Sequence, residues 1–161
     1  MGNQRSMIAM TDEEVKSFIA SERRLVAATI GPAGRPHVVP LWYGVIEDQI
    51  VFSTYAKSQK VINLRRSPLM TGLIESGETY ETIRGIELQG YGRIVDDYPR
   101  VLEISAVVSS RRNGVDTASR RRRQLEDQAR KRVGVILELK RTVSWDHAKL
   151  QRDEPRGTAS H

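Results

Sequence analysis

The chain has 161 residues, 39% of them hydrophobic, with 26 Lys+Arg against 20 Asp+Glu, a formal net charge of +6 and no cysteine. That length suits one domain with its own core, and without cysteine there is no disulfide, no thiolate nucleophile and no thiolate metal site. No apolar run is long enough to cross a bilayer and no leader pattern opens the chain, so a soluble, cytoplasmic protein is expected; the three histidines, His37, His147 and His161, lack metal-ligand spacing.

In chain order, Met1–Met10 shows no periodicity and reads as a mobile arm. Thr11-Asp-Glu-Glu14 is a capping-box pattern, and Val15, Phe18 and Ile19 recur at helical spacing, which predicts a short helix ending near Ser21. Leu25–Ile30 is a β-rich run closed by the turn Gly31-Pro-Ala-Gly34. Pro36–Glu47 is apolar at nearly every position and predicts a strand covered on both faces, with Pro40 at an edge or bulge because it cannot donate to a ladder. A tight hairpin at Glu47-Asp48-Gln49 leads into the strand Ile50–Thr54. A short helix over Ser58–Arg66 is halted by Pro68. Strands are predicted at Leu69–Glu75 and Thr82–Val95, with Ile86, Leu88, Gly90, Gly92 and Ile94 on one face of the second. Two glycines on an apolar face indicate a sharp bend or a close backbone approach, and the bend is favoured.

Helices are then expected from Tyr98 to Ser109, with Ile104, Val107 and Val108 inward, and over Ser119–Arg132, anchored only by Leu125 and Ala129. Arg111–Arg132 holds nine of the basic residues and three of the acidic ones; the remaining 17 and 17 balance. The whole excess charge therefore sits on one element, which reads as a solvated helix before a binding surface, and no aromatic-rich basic face accompanies it, so nucleic acid ranks last among partners. Val133–Leu139 is a final buried strand, Thr142–Leu150 closes domain 11–150, and Gln151–His161 reads as a disordered tail. About six strands with short helices between them predict a small closed or half-closed barrel.

The stretch Val51–Pro68 carries the strongest chemical signal. A strand runs through a polar turn into a helix start with Lys57 and Lys60 flanking Ser58. A helix N-terminus offers unpaired N–H groups and partial positive charge, so it suits an anion such as a phosphate. Taken alone, a serine-capped helix with solvated lysines is the plainer reading. On the helical wheel Val61 and Leu64 face inward, whereas Lys60 and Asn63 share a face that need not be buried. The chain offers no convincing nucleophile and no Gly-x-Ser-x-Gly elbow, and catalytic residues are not assigned; Tyr43, Tyr91 or water are equal candidates for a proton donor. Trp145 is more simply a packing anchor than a ring contact for a ligand.

Four pieces in order resemble the pyridoxamine 5'-phosphate oxidase-like split β-barrel family, and more closely its actinobacterial deazaflavin-dependent branch. They are Leu25-Val-Ala-Ala-Thr29 with Gly34-Arg-Pro-His-Val38, Pro40-Leu-Trp-Tyr43, Lys57-Ser-Gln-Lys-Val-Ile-Asn-Leu-Arg-Arg-Ser-Pro68, and Val143-Ser-Trp-Asp-His-Ala-Lys-Leu150. The resemblance implies a mainly β, six-stranded split barrel with peripheral helices, assembled as a homodimer with cofactor sites at the subunit interface. It implies coenzyme F420, or alternatively FMN, as cofactor for hydride transfer with a small organic substrate, or a carrier without turnover. By position, Lys57, Ser58, Lys60 and Asn63 would hold the phosphate, and Ser53 and Thr54 would line the pocket. Leu41 and Trp42 would touch the ring, and Trp145 would approach near the dimer interface.

Overall fold

The computed structural model describes residues 4–113 and 119–152. Seven strands, β1 (Arg24–Ile30), β2 (Pro36–Trp42), β3 (Gly44–Ile46), β4 (Gln49–Tyr55), β5 (Leu69–Ser76), β6 (Arg84–Val95) and β7 (Arg132–Asp146), form one antiparallel sheet in the order β2-β1-β5-β6-β7-β4-β3. The two edge strands are thus consecutive in sequence, with Tyr43 alone between them. A sheet whose opposite edges are one residue apart must curl until those edges nearly meet, so the chain itself completes a half-open barrel.

The expected single strand over Pro36–Glu47 is therefore two, and the strand count is seven instead of six. Tyr43 causes the break. It is fully buried, its hydroxyl oxygen lies 2.6 Å from Ile19 O and 3.0 Å from Glu22 O, and the Arg111 guanidinium sits 4.6 Å over its ring. Arg111 also donates to the Ile19, Ala20 and Glu22 carbonyls at the end of α2 (Asp12–Ser21). One face of β2 stays open, since Pro36, Val38, Pro40 and Trp42 alternate outward; the strand is not covered on both sides. Pro40 lies on this edge strand, opposite Val26, where its missing N–H faces no neighbour.

Leu25, Phe52, Ile74, Ile86, Leu88 and Leu137 fill the barrel, and Phe18 of α2 plugs it. The capping box of α2 is formed, with Glu14 N donating to Thr11 Oγ1 at 3.2 Å and Thr11 N to Glu14 Oε2 at 2.7 Å. On the outer side, Ile104 of α4 (Tyr98–Asn113) packs on Val51 and Ile136, which explains why β4 and β7 are apolar on both faces. α5 (Ser119–Ala129) follows, anchored by Ala129 and half-buried Leu125. At the termini, α1 (Gln4–Ile8) occupies part of the expected arm, and its end is tied by Met10 N to Ser144 Oγ and by Lys149 Nζ to Ala9 O. Lys149 belongs to α6 (Ala148–Arg152); residues 1–3 and 153–161 of the expected arm and tail lie outside the described residues. Among the described residues no helix is long and apolar enough to cross a membrane.

β7 joins the two expected C-terminal segments into one strand, with a bulge that leaves Lys140 unpaired between Gln89↔Arg141 and Gly90↔Leu139. A Cβ on Gly90 would lie 2.1 Å from Glu138 O, so only glycine fits at the bend. A Cβ on Gly92 would lie 2.8 Å from Leu64 Cδ2, so this second glycine admits α3 (Gln59–Arg66). Both explanations offered for the glycine face hold, one at each position.

Candidate functional site

Strand β4 ends at Tyr55, and the chain turns through residues 56–58 into α3. Ser58 is the N-cap residue of α3, but its side chain makes no capping hydrogen bond; its Oγ lies 3.4 Å from Thr54 Oγ1 instead. Lys60 Nζ donates to that same Thr54 Oγ1 at 3.0 Å. Burial first, and the positive charge of Arg132 second, hold the Lys60 ammonium below its ordinary value of 10.5. Among the described residues neither Lys60 nor Arg132 pairs with a carboxylate. Two neighbouring cations without a counter-ion, beside the first turn of a helix, make a place that favours an anion. Lys57 is exposed on the approach to it.

Asn63 departs from the expectation. It is fully buried, not turned away from the barrel: Nδ2 donates to Thr29 Oγ1 at 3.0 Å, and Oδ1 accepts from Gln59 Nε2 at 2.8 Å. Both ends of the amide are committed, so Asn63 pins α3 to β1 and thereby positions Lys60. Asn63→Ala should destabilise the fold by about 1–3 kcal/mol, because Thr29 is left buried without its partner. Chemical denaturation checks this, and a midpoint equal to that of the wild type would contradict it.

Ser53 and Thr54 point to opposite faces of β4, as neighbouring strand residues must, so the structure does not bring them into one pocket. Thr54 belongs to the corner with Lys60. Ser53 lies on the outer face, where its carbonyl accepts from Arg132 Nη1 at 3.2 Å. There it joins Leu41 and Trp42 at a cleft of about 210 Å³ between the sheet and the α4–α5 helices. From the helices come Ser105, Val108 and Gln128. A wider groove of about 690 Å³ continues past Gln128 between Tyr55 and α5, with Arg123, Asp127 and Lys131 on its walls. Arg132 links corner and cleft: its guanidinium stacks 4.6 Å over the Tyr55 ring.

Two side-chain atoms in this cleft, Ser105 Oγ and Arg132 Nε, are buried without any hydrogen-bond partner. They are the only such atoms among the described residues, and a buried polar group without a partner is rare. Sequence reasoning missed both. Arg132 was indistinguishable within an arginine run, although its position at the first residue of β7, opposite Tyr55, sets it apart. Ser105 offered one signal, a serine between the inward Ile104 and Val108.

The remaining expected contacts lie elsewhere. Trp145 is half-buried against Gly85, whose added Cβ would lie 2.6 Å from the indole. It stands 13 residues along β7 from Arg132, about 43 Å of extended strand at roughly 3.3 Å per residue. It does not join the cleft. Tyr43 is removed as a proton donor to substrate, because burial pushes its phenol up to about 12 and its hydroxyl is spent on α2 carbonyls. Tyr91 lies on the outer face, 38% exposed.

Comparison with solved structures gives a close match to the conserved hypothetical protein Rv2991 of Mycobacterium tuberculosis, at 38% identity and a TM-score of 0.86, covering 99% of this chain and 98% of that one. The same fold is found in a protein named F420 reductase, at 19% identity and a TM-score of 0.62 over 79% of this chain and 94% of that one. It is found again in a FAD-binding protein of Mesorhizobium loti, at 13% identity and 0.65 over 84% and 94%. No curated protein matches significantly. Residues 11–141 match the family model described as pyridoxamine 5'-phosphate oxidase, a span that takes in the α3 corner, the cleft and the whole sheet except the end of β7. With that match and the curled seven-stranded sheet, the chain belongs to the pyridoxamine 5'-phosphate oxidase family.

Proposed function

We propose that this protein is an oxidoreductase that binds a deazaflavin, coenzyme F420, with its phosphate at the Thr54–Ser58–Lys60 corner and its ring toward Leu41 and Trp42. FMN is the second reading. One observation carries the proposal: Lys60, hydrogen-bonded to Thr54 and depressed by burial and Arg132, sits without a carboxylate partner at the start of α3. The corner fits a phosphate monoanion or dianion, and the orphaned Ser105 and Arg132 atoms fit a polar ligand edge in the adjoining cleft. When bound, such a cofactor supplies two-electron hydride chemistry, which needs no protein nucleophile. The chain's own residues do the rest. Lys60 and Arg132 balance the phosphate charge, Asn63 and Gly92 hold α3 at the right height, and the α4–α5 helices cover the cleft from water. The 19%-identical F420 reductase and the 13%-identical FAD-binding protein support the cofactor class through shared fold alone.

The preference for coenzyme F420 draws on the groove beyond Gln128. Arg123 and Lys131 outnumber Asp127 on its walls, which suits the acidic tail that the deazaflavin carries and FMN lacks. A homodimer belongs to the same reading: Val38, Leu69 and Tyr91 are exposed hydrophobics on the outer sheet face, and a second copy would cover them and bring its own Trp145 region toward the site. The test is a titration of cofactor-free protein with coenzyme F420 and with FMN, following tryptophan quenching at several salt concentrations. Tighter F420 binding with the steeper salt dependence is expected, from protein that sediments as a dimer. FMN binding as tightly as F420 with an equal salt slope would transfer the assignment to FMN, and a monomer would remove the interface.

A further inference from the structure

The cleft between β4 and α4 has a composition that the phosphate corner does not explain. Arg132 and Arg112 both line it, and no acidic residue stands among its described lining residues. Ser105 is 5% exposed and its Oγ has no partner; the Arg132 Nε–H has none either. Arg132 cannot swing freely to find one, because Nη1 is held by Ser53 O and the guanidinium plane by Tyr55. Val108 and Leu125 of the helices and Leu41 of β2 add apolar lining. At about 210 Å³ the cleft is smaller than the roughly 300–1,000 Å³ of sites for drug-sized ligands. It suits one ring or a short chain with a charged end.

We infer that the helix side of this cleft is the substrate's acid subsite, taking the carboxylate of a small aromatic or branched organic acid between Ser105 Oγ and Arg132 Nε, with the acid's apolar part against Val108 and Leu125, beside the Leu41–Trp42 side that the proposed ring takes. A planar anion with two oxygens satisfies a fixed guanidinium edge and a hydroxyl together, which a single neutral acceptor does not. The position relative to the hydride-transferring ring rests on the proposed cofactor reading; the carboxylate subsite itself does not. Ser105 and Arg132 are then specificity-determining residues, supplied by α4 and by the first residue of β7.

The test uses the full chain without cofactor, titrated with benzoate and with benzamide by calorimetry at low chloride. Benzoate should bind saturably and at least tenfold more tightly than benzamide. Ser105→Ala should weaken benzoate binding about tenfold while leaving the thermal midpoint unchanged or raised, since it deletes an unsatisfied buried hydroxyl. Arg132→Lys, which keeps the charge and loses the Nε edge, should weaken it at least as much. Equal binding of benzoate and benzamide, or wild-type benzoate affinity in Ser105→Ala, would overturn the inference. A second arm separates the source of the carboxylate. Benzoate is expected to bind alongside tailed and tail-less deazaflavin alike, and displacement by the tailed form alone would assign the subsite to the cofactor's tail and overturn the substrate assignment. Loss of cofactor binding with benzoate binding intact would defeat the proposed cofactor and leave the acid subsite standing; the reverse result would do the opposite.

Discussion

Replacing Lys60 with alanine is expected to weaken binding of a phosphate-bearing flavin or deazaflavin by about 10–100-fold, the range of one charge-assisted hydrogen bond at a partly buried site. Ser58→Ala should cost no more than a few-fold, because Ser58 makes no capping bond and only borders Thr54. Riboflavin, which lacks the phosphate, should be indifferent to Lys60→Ala, so the FMN-to-riboflavin ratio isolates the contact. The pH dependence has a definite sign. Burial and Arg132 lower the Lys60 pKa in the free protein, so charged Lys60 opposes folding below that lowered value, and the cost is relieved as pH rises through it. A bound anion favours the charged form and raises the pKa again. Affinity should therefore begin to fall with rising pH before the ordinary lysine value of 10.5 is reached, and Lys60→Ala should remove that decline. FMN binding to Lys60→Ala with wild-type affinity would place the phosphate elsewhere.

Gly90→Ala should destabilise the protein by about 2–4 kcal/mol, the range of backbone strain at a site where no relaxed position exists. The new methyl would meet the Glu138 carbonyl at 2.1 Å, and that carbonyl belongs to the bulged backbone of β7, which cannot retreat without breaking the ladder to β6. Gly92→Ala meets Leu64 Cδ2 at 2.8 Å, the far end of a flexible side chain, and should cost less. Urea denaturation gives both values, with the midpoint moving and the slope constant. A Gly90→Ala midpoint equal to the wild type would show that the bulge tolerates a side chain.

Much of the barrel was legible because its signals are local. Thr11 and Glu14 cap α2, the hairpin of β3 and β4 is tight, and Val61 and Leu64 face inward as their spacing requires. The break at Tyr43 was hidden, because an apolar run from Pro36 to Glu47 has no period to interrupt and the contacts responsible come from α2 and from Arg111. Asn63 was assigned to the wrong face for a related reason. A polar side chain counts as exposed on a helical wheel, but a partner 34 residues away, Thr29, allows it to be buried. Thr54, Ser58 and Lys60 are neighbours in sequence and remain so in space, which makes their grouping legible. Its fourth member, Arg132, arrives from the far end of the chain through the β4–β7 ladder, and no local pattern announces such an arrival.

That ladder has a consequence for how the molecule comes together. Apart from its hairpin with β3, β4 forms sheet hydrogen bonds with β7 alone. Without Arg132–Leu137 the native ladders fall into two groups, the β2-β1-β5-β6 sheet and the β3–β4 hairpin, with no ladder between them. β7 is the strand that unites them, and joining residues 50–55 to 132–137 is the kind of long-range pairing that slows folding. The proposed anion corner and acid cleft therefore depend on one and the same pairing, which brings Arg132 to both.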